Sequence, residues 1–342
     1  MIKHKVLLNG YGRMGRLLHR IALERETFEV VGINSRSTPQ SHAHLFKHDS
    51  TYGLLDAAVN YGDDYIEVNG TKIEVFTNKD PGEIDITKLG ADYVAECTGK
   101  FKDRENCEKQ LKAGAKKVVI SAPGKNEDVS IVMGVNQDDY NNKKHNIVSN
   151  ASCTTNCLAP TIKVLNETFG VVYGHMTTIH AITKSQNILD GSHKKCMRRA
   201  RTSSDSFIPT TTGASKAIGK IFPELDGKIK AVCVRVPFST VSLIDLVVLL
   251  DKNVTVDEVN KSFKSYSNGA LKGILGVSDE PLVSIDYKGE KNSCVIDTLL
   301  TSVVNERYVK IMAWYDNEWG YIERLADLIE FVGANSTTDE LK

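Results

Sequence analysis

An apolar run from Lys5 to Asn9 stops at Gly10-Tyr11-Gly12-Arg13-Met14-Gly15-Arg16, and a helical pattern to about Arg25 begins at once. Glycines at the spacing Gly-x-Gly-x-x-Gly permit a tight turn and let another group approach the backbone at the positive end of the helix. A pyrophosphate suits that place, because the first N–H groups of a helix have no partner within it. Glycines also punctuate strand ends for steric reasons alone, so the motif gains weight from its position between a strand and a helix.

The rhythm continues through the first third of the chain. Phe28 to Asn34 reads as a strand, Thr38-Pro39 as a helix start, Tyr65 to Val68 and Lys72 to Phe76 as a hairpin about Asn69-Gly70, and Tyr93 to Cys97 as a further strand. A helix near Arg104 to Ala113 and a strand from Lys117 to Ser121 follow. Alternation of this kind predicts an α/β domain with a parallel, Rossmann-type sheet. After Ser149 the pattern changes. Ile229 to Val236, Thr240 to Leu250, Leu282 to Tyr287, Ser293 to Leu299 and Tyr308 to Trp314 read as strands with few helices between them, so a second, largely antiparallel α+β domain is expected. Tyr321 to Val332 carries apolar residues at helical spacing. The expected division is residues 1–151 for dinucleotide binding, 152–318 for catalysis and substrate, and 319–342 for a helix returning to the first domain.

With 342 residues, 41% hydrophobic and 25% charged, the chain is long enough for two cores and is not of disordered composition. Lys plus Arg and Asp plus Glu both total 43, so no global field recruits nucleic acid or an acidic membrane. No apolar stretch is long enough to span a bilayer. The Met1 to Gly10 segment reads as no leader and Asp339-Glu340-Leu341-Lys342 as no retrieval signal, so a cytoplasmic protein is expected. Seven cysteines without paired CxxC spacing predict neither a disulfide framework nor a zinc site, and leave room for one reactive thiol.

In folds of this kind the end of the second strand supplies a carboxylate for a ribose 2′-hydroxyl. Here Asn34-Ser35-Arg36-Ser37-Thr38 has none, and offers hydroxyls and one guanidinium. A 2′-phosphate, hence NADP, is one reading; an ordinary polar turn and helix cap is the other. Further along, Ile147 to Ser149 runs into Asn150-Ala151-Ser152-Cys153-Thr154-Thr155-Asn156-Cys157 and then a helical pattern. Cys153 thus stands at a strand-to-helix junction, where the helix dipole lowers a thiol pKa and free N–H groups can hold an oxyanion. Pro160 either kinks that helix or marks its true start. A lone cysteine is more often a small buried side chain than a nucleophile, and it needs a base.

Six motifs together resemble the phosphorylating glyceraldehyde-3-phosphate dehydrogenase family, particularly its NADP-preferring members. They are the Gly10 to Arg16 turn, Ser152 to Cys157, Met176-Thr177-Thr178-Ile179-His180, Arg198-Arg199-Ala200-Arg201, Pro209-Thr210-Thr211-Thr212-Gly213 and Trp314 to Tyr321. The likeness runs from Lys5 to about Val332. It implies that Cys153 is the nucleophile and His180 its base, with a hemithioacetal oxidised to a thioester that inorganic phosphate cleaves. It also implies cofactor contacts from Gly10, Tyr11, Gly12, Arg13, Met14, Asn34, Ser35, Arg36, Lys79, Thr98, Ser121, Ser192, Asn317 and Tyr321. Thr183 and Arg235 would bind the phosphate of glyceraldehyde 3-phosphate. Ser152, Thr154, Arg199, Thr212 and Gly213 would surround the attacking phosphate. A homotetramer is implied, with Lys184 to Arg201 as the loop that crosses to a neighbouring subunit. No metal is expected.

Several departures from the family bear on specificity. NAD-using members carry Asp where Ser35 stands, and many have Leu-Pro where Gly191-Ser192 precedes His193; both changes favour NADP as the preferred cofactor, with NAD still possible. Members of that kind commonly run in the biosynthetic direction. The family's Thr-Asn-Asp reads Thr183-Lys184-Ser185, and its Arg-Val-Pro-Thr-x-Asn reads Arg235-Val236-Pro237-Phe238-Ser239-Thr240, which leaves erythrose 4-phosphate as an alternative substrate. A non-catalytic dinucleotide- or RNA-binding protein is the alternative from another class. The intact Cys153 and His180 argue against it, and zero net charge argues against RNA as the main ligand.

Overall fold

The computed structural model describes residues 3–340 and divides into two compact units, Met1–Ser152 with Ile322–Lys342, and Cys153–Tyr321. The first two residues of the expected leaderless start and the last two of the Asp339 to Lys342 ending lie outside the described residues.

The first unit opens with β1 (His4–Asn9), α1 (Arg13–Glu24), β2 (Phe28–Asn34) and α2 (Pro39–Lys47). A small hairpin, β3 (His48–Asp49) with β4 (Gly53–Leu54), precedes β5 (Val59–Tyr61), β6 (Tyr65–Val68) and β7 (Thr71–Phe76). Then come α3 (Ile86–Leu89), β8 (Tyr93–Glu96), α4 (Arg104–Lys112), β9 (Lys117–Ile120), β10 (Val129–Ser130) and β11 (Ile147–Ser149). Nine strands form one sheet in the order β10-β11-β9-β8-β1-β2-β7-β6-β5. The central strands pair in parallel, and the edge hairpin β6–β7 is antiparallel about Asn69 and Gly70, both at positive φ. β1 lies between β2 and β8, so the chain order reverses at its carboxyl end, the place where such sheets bind ligands. Leu7, Val94, Val118, Ile120 and Ile147 fill the core on one face with Ile84, Ile86 and Cys107.

The second unit comprises α5 (Cys153–Phe169), β12 (Val171–His180), β13 (Ile208–Thr210), α6 (Ala214–Ile221), β14 (Ile229–Arg235), β15 (Ser242–Leu250), α7 (Val256–Asn268), β16 (Leu275–Ser278), β17 (Cys294–Val304) and β18 (Tyr308–Tyr315). Its seven-stranded sheet runs β13-β14-β12-β15-β18-β17-β16, antiparallel except for β12–β14 and β16–β17. Between the expected strands lies α7, which starts with a capping box of Thr255 and Glu258, while α6 precedes the first of them. Leu282 to Tyr287 is not a strand. Its second half, Ser284–Tyr287, is a 3-10 turn because the Asp286 carboxylate accepts from the Val283 N–H at 2.8 Å, and Tyr287 stacks on Trp314 at 5.2 Å. Pro160 lies inside α5, so the helix starts at Cys153 and passes through it.

The last helix, α8 (Trp319–Glu340), enters the first unit at Ile322. There the Arg25 guanidinium meets Glu323 at 2.5 Å, Asp327 at 2.7 Å and Glu330 at 2.8 Å, tying the helix to the α1–β2 turn.

Candidate active site

In the first unit the glycine turn follows from what a side chain would strike. Gly10 has φ +101°, and a Cβ there would lie 2.7 Å from the Thr98 backbone nitrogen; one on Gly15 would lie 2.1 Å from the Gly10 carbonyl oxygen. Gly12, the N-cap of α1, offers no capping side chain. The turn is thus a backbone cradle at a helix N-terminus, and its residues fit a dinucleotide pyrophosphate. Of the expected cofactor residues here, Gly10, Gly12, Arg13 and Met14 form the turn and first helical residues, but two side chains are committed elsewhere. The Tyr11 ring is buried against His42 and Phe46 with its hydroxyl 2.7 Å from His19 Nδ1, and the Arg13 guanidinium pairs with Asp49 at 2.5 Å. Only their backbones can serve a ligand at the turn.

The ends of β1, β2 and β8 meet on a residue that sequence reasoning missed. Glu96 is buried at the end of β8; its carboxylate accepts from Asn9 Nδ2 at 2.5 Å, from the Thr98 N–H at 2.8 Å, from the Thr98 hydroxyl and from Gln110 Nε2 at 3.4 Å. Burial raises its pKa from 4.5 to about 7 against those four bonds. Asn9 in turn accepts from Asn34 Nδ2 at 2.8 Å, while Asn34 Oδ1 is buried without a partner. Ser121 donates to the Glu96 carbonyl at 3.0 Å. Thus Asn34, Thr98 and Ser121 gather about Glu96, whose signal in the sequence was a lone carboxylate ending an apolar run. Arg36 and Lys79 are exposed and have no side-chain partner among the described residues. Ser35 is half-buried, and the Thr38 hydroxyl caps α2 by accepting from Ser41 N.

In the second unit, Cys153 is the first residue of α5, two residues after Ala151, which takes the left-handed conformation at φ +53°. A non-glycine residue held there costs about 1–3 kcal/mol, so the turn before the helix is strained. Cys153 Sγ lies 3.4 Å from His180 Nε2 at the end of β12. The expected lowering of the thiol pKa is corrected: burial pushes the Cys153 thiol up, against the opposing pull of the Arg235 cation and of bonds from Thr154. Burial and Arg235 push His180 down to about 3. A neutral imidazole with a bare Nε2 can take a proton from sulfur or from an oxygen beside it.

Tyr315 holds the two halves of this pair in place. Its buried hydroxyl lies 3.0 Å from Thr154 Oγ1 on α5 and 2.8 Å from Thr178 Oγ1 on β12, and its ring meets that of His180 edge-on at 6.0 Å. Ser242 accepts from the Ala181 N–H at 3.1 Å and donates to Asn317 Oδ1 at 2.8 Å, which fixes the Asn317 amide with Nδ2 as its remaining, donor end. Buried Asp316 caps α8 through the N–H groups of Glu318 and Trp319 and accepts from Thr240 at 2.8 Å. Neither Tyr315 nor Ser242 was singled out beforehand. Tyr321 is buried on the first turn of α8.

The expected anion-binding residues fall in three places. Arg235 on β14 stands opposite His180 in parallel register, forms no ion pair among the described residues, and has a buried Nε without a partner. Thr183 is exposed, in a turn closed by Ser185 at 2.9 Å and Gln186 at 3.2 Å. Arg199 Nε donates to Thr210 Oγ1 at 2.8 Å, beside Thr212 and Gly213 at the start of α6, whose N-cap has no capping bond. Ser152 directly precedes α5. Ser192 is exposed in the Lys184 to Arg201 loop. Cys196 in that loop has its pKa lowered, chiefly by the Arg199 N–H, and its backbone N–H donates to His193 Nδ1 at 3.0 Å. The remaining five cysteines are buried. No three His, Cys, Asp or Glu side chains converge as metal ligands among the described residues. No helix of the described residues is long and apolar enough to cross a membrane.

A dinucleotide cradle on a Rossmann-type sheet, beside a second unit that carries a cysteine–histidine pair, points to an oxidoreductase of the nicotinamide-dinucleotide class. Residues 4–104 match the family model of the glyceraldehyde 3-phosphate dehydrogenase NAD binding domain, and residues 152–317 match that of the C-terminal domain. The chain is 51% identical over 330 residues to a glyceraldehyde-3-phosphate dehydrogenase of Geobacillus stearothermophilus, covering 96% of this chain and 98% of the relative. It is 49% identical over 333 residues to glyceraldehyde-3-phosphate dehydrogenase 2 of Bacillus subtilis, covering 97% and 98%. The chain belongs to the glyceraldehyde-3-phosphate dehydrogenase family.

Proposed function

We propose that this enzyme oxidises glyceraldehyde 3-phosphate with phosphorylation to 1,3-bisphosphoglycerate, and catalyses the reverse, through a thioester on Cys153 with NADP preferred over NAD. The observation that carries the reading is the 3.4 Å approach of Cys153 Sγ to His180 Nε2, with an unpaired guanidinium, Arg235, against the same imidazole. Sulfur adds to the aldehyde carbon as His180 takes the thiol proton and returns it to the new alkoxide. His180 then removes that hydroxyl proton while hydride leaves the carbon. The glycine cradle is suited to NADP, which would accept that hydride, and Asn317 Nδ2 is a donor of the kind that a nicotinamide carboxamide accepts. Phosphate oxygen attacks the thioester carbon, the C–S bond breaks, and the thiolate regains a proton. Arg235 balances the charge of the substrate phosphate and Thr183 donates a hydrogen bond to it, while Ser152, Thr154, Arg199, Thr212 and Gly213 receive the attacking one.

The preference for NADP is supported by the lack of a carboxylate at Ser35 and by the exposed, unpartnered Arg36 and Lys79. A homotetramer is supported by the loop from Lys184 to Arg201, where Ile188, Leu189 and Met197 are 74%, 73% and 82% exposed, apolar side chains that a subunit contact would cover. A cytoplasmic location completes the reading. The test is kcat/KM for glyceraldehyde 3-phosphate with NADP and with NAD, each with and without inorganic phosphate, and with erythrose 4-phosphate alongside. Preference for NADP with phosphate dependence is expected. Preference for NAD returns Ser35 and Arg36 to an ordinary polar turn, and turnover without phosphate defeats the acyl phosphate product. If erythrose 4-phosphate is the better substrate, Lys184 and Phe238 reshape the pocket.

A further inference from the structure

The first unit carries two exposed histidines that neither the dinucleotide turn nor the thiol–imidazole pair uses. His44 lies on α2 and His48 ends that helix four residues later, a spacing that brings side chains of one helical face together. Their ring centroids are 4.9 Å apart, with the planes tilted by 39°. Neither side chain makes a hydrogen bond or ion pair among the described residues. Two imidazoles sharing one metal ion, with metal–nitrogen bonds of about 2.0–2.1 Å meeting at about 90–110°, have centroids about 4.5–5.2 Å apart. The observed separation falls within that range.

The backbone that sets this spacing is held from beneath. The buried Arg20 guanidinium donates to the Phe46 carbonyl at 2.7 and 3.2 Å, to that of Lys47 at 3.3 Å and to that of Gly53 at 3.1 Å. The His48 N–H donates to the His44 carbonyl, and the Leu55 N–H to that of Lys47 at 2.8 Å. Phe46, between the two histidines, is buried. The end of α2 is thus fixed before any ligand arrives, and a chelating pair that is already assembled loses little entropy on binding.

The surroundings select the class of ion. The pair opens on a cleft of about 560 Å³ shared with Gln40, Ser41, Lys47 and Tyr61. No carboxylate among the described residues lines it, whereas the Lys47 ammonium does. Mg²⁺ and Ca²⁺ take carboxylate oxygens, which this cleft lacks. An ion bonded directly to imidazole nitrogen does not depend on a negative field, and imidazole suits zinc, nickel and copper. Structural zinc sites close with four protein ligands and catalytic ones commonly use three. Two ligands leave the other positions to water, which makes the ion exchangeable.

We propose that His44 and His48 form a surface chelate for a late first-row divalent metal ion at the carboxyl end of α2. The test uses the full chain without an affinity tag, its accessible thiols alkylated by iodoacetamide so that they do not bind the metal. Calorimetric titration with Ni²⁺, and separately with Mg²⁺, is expected to show one Ni²⁺ per chain and no Mg²⁺. His44→Ala and His48→Ala, both at exposed positions, should each lose that step, and before alkylation both should keep the dehydrogenase activity. In the wild type, Ni²⁺ should shield both histidines from diethyl pyrocarbonate, read by peptide mass spectrometry. Undiminished Ni²⁺ binding in either variant overturns the chelate, because a lone imidazole or another place then holds the ion. Mg²⁺ binding at the same stoichiometry, or shielding that misses either His44 or His48, overturns it as well.

Discussion

Replacing Glu96 by Gln tests whether burial outweighs the four hydrogen bonds around that carboxyl. The folded chain holds the Glu96 proton to about pH 7, whereas the unfolded chain sheds it near the ordinary value of 4.5. Between those values the native state binds one more proton than the unfolded state, so stability falls as pH rises, by about 1.4 kcal/mol per unit. The contribution is fully present below pH 4.5 and is lost through pH 7. Over pH 4.5 to 8 the wild type should therefore lose about 3 kcal/mol relative to Glu96→Gln, which has no proton to shed. Taking an unfolding entropy of ~2.1 cal/mol/K per residue over the ~170 residues of that unit, this is about 8 °C in melting temperature. Glutamine cannot accept from Asn9, Thr98 and Gln110 as a carboxylate does, so the two proteins are expected to differ by a constant offset as well. The slope carries the test. Guanidinium or thermal unfolding at pH 4.5, 6, 7 and 8 measures it, and curves for the two proteins that stay parallel within ~1 kcal/mol would show that the hydrogen bonds keep Glu96 ionised throughout.

Tyr315→Phe removes the hydroxyl shared by Thr154 and Thr178 and leaves both threonine hydroxyls short of a buried partner, at a cost of about 1–3 kcal/mol. Because that hydroxyl fixes the spacing of the thiol and imidazole, kcat should drop about tenfold with KM nearly unchanged; an unaltered kcat would show that Tyr315 serves the core only. Gly10→Ala places a Cβ 2.7 Å from the Thr98 nitrogen at φ +101°, so dinucleotide binding measured by calorimetry should be abolished while alkylation of Cys153 by iodoacetamide persists. Retained binding would refute the glycine turn as the cofactor cradle.

What could be read beforehand was chemistry confined to a short stretch of chain. The Gly10 to Gly15 turn depends on backbone sterics that three spaced glycines reveal, and Cys153 betrays itself by standing where a strand gives way to a helix. Contacts made across strands were hidden. Arg235 meets His180 because β14 pairs with β12 in a parallel register, and nothing local to either motif states that register. Tyr315 stands inside the Trp314 to Tyr321 motif, from which the resemblance singles out Asn317 and Tyr321, and its role exists only because its hydroxyl meets threonines of both α5 and β12. The sign of the thiol shift is the sharpest case. A helix N-terminus and nearby cations are visible as residue types and both lower a thiol pKa, but the opposing effect is desolvation, which depends on how much protein closes over the sulfur. Burial wins at Cys153. Desolvation opposes the ionised form of the thiol, and the group placed to receive its proton is His180 Nε2, 3.4 Å from the sulfur and supplied by a strand that the cysteine motif does not contain.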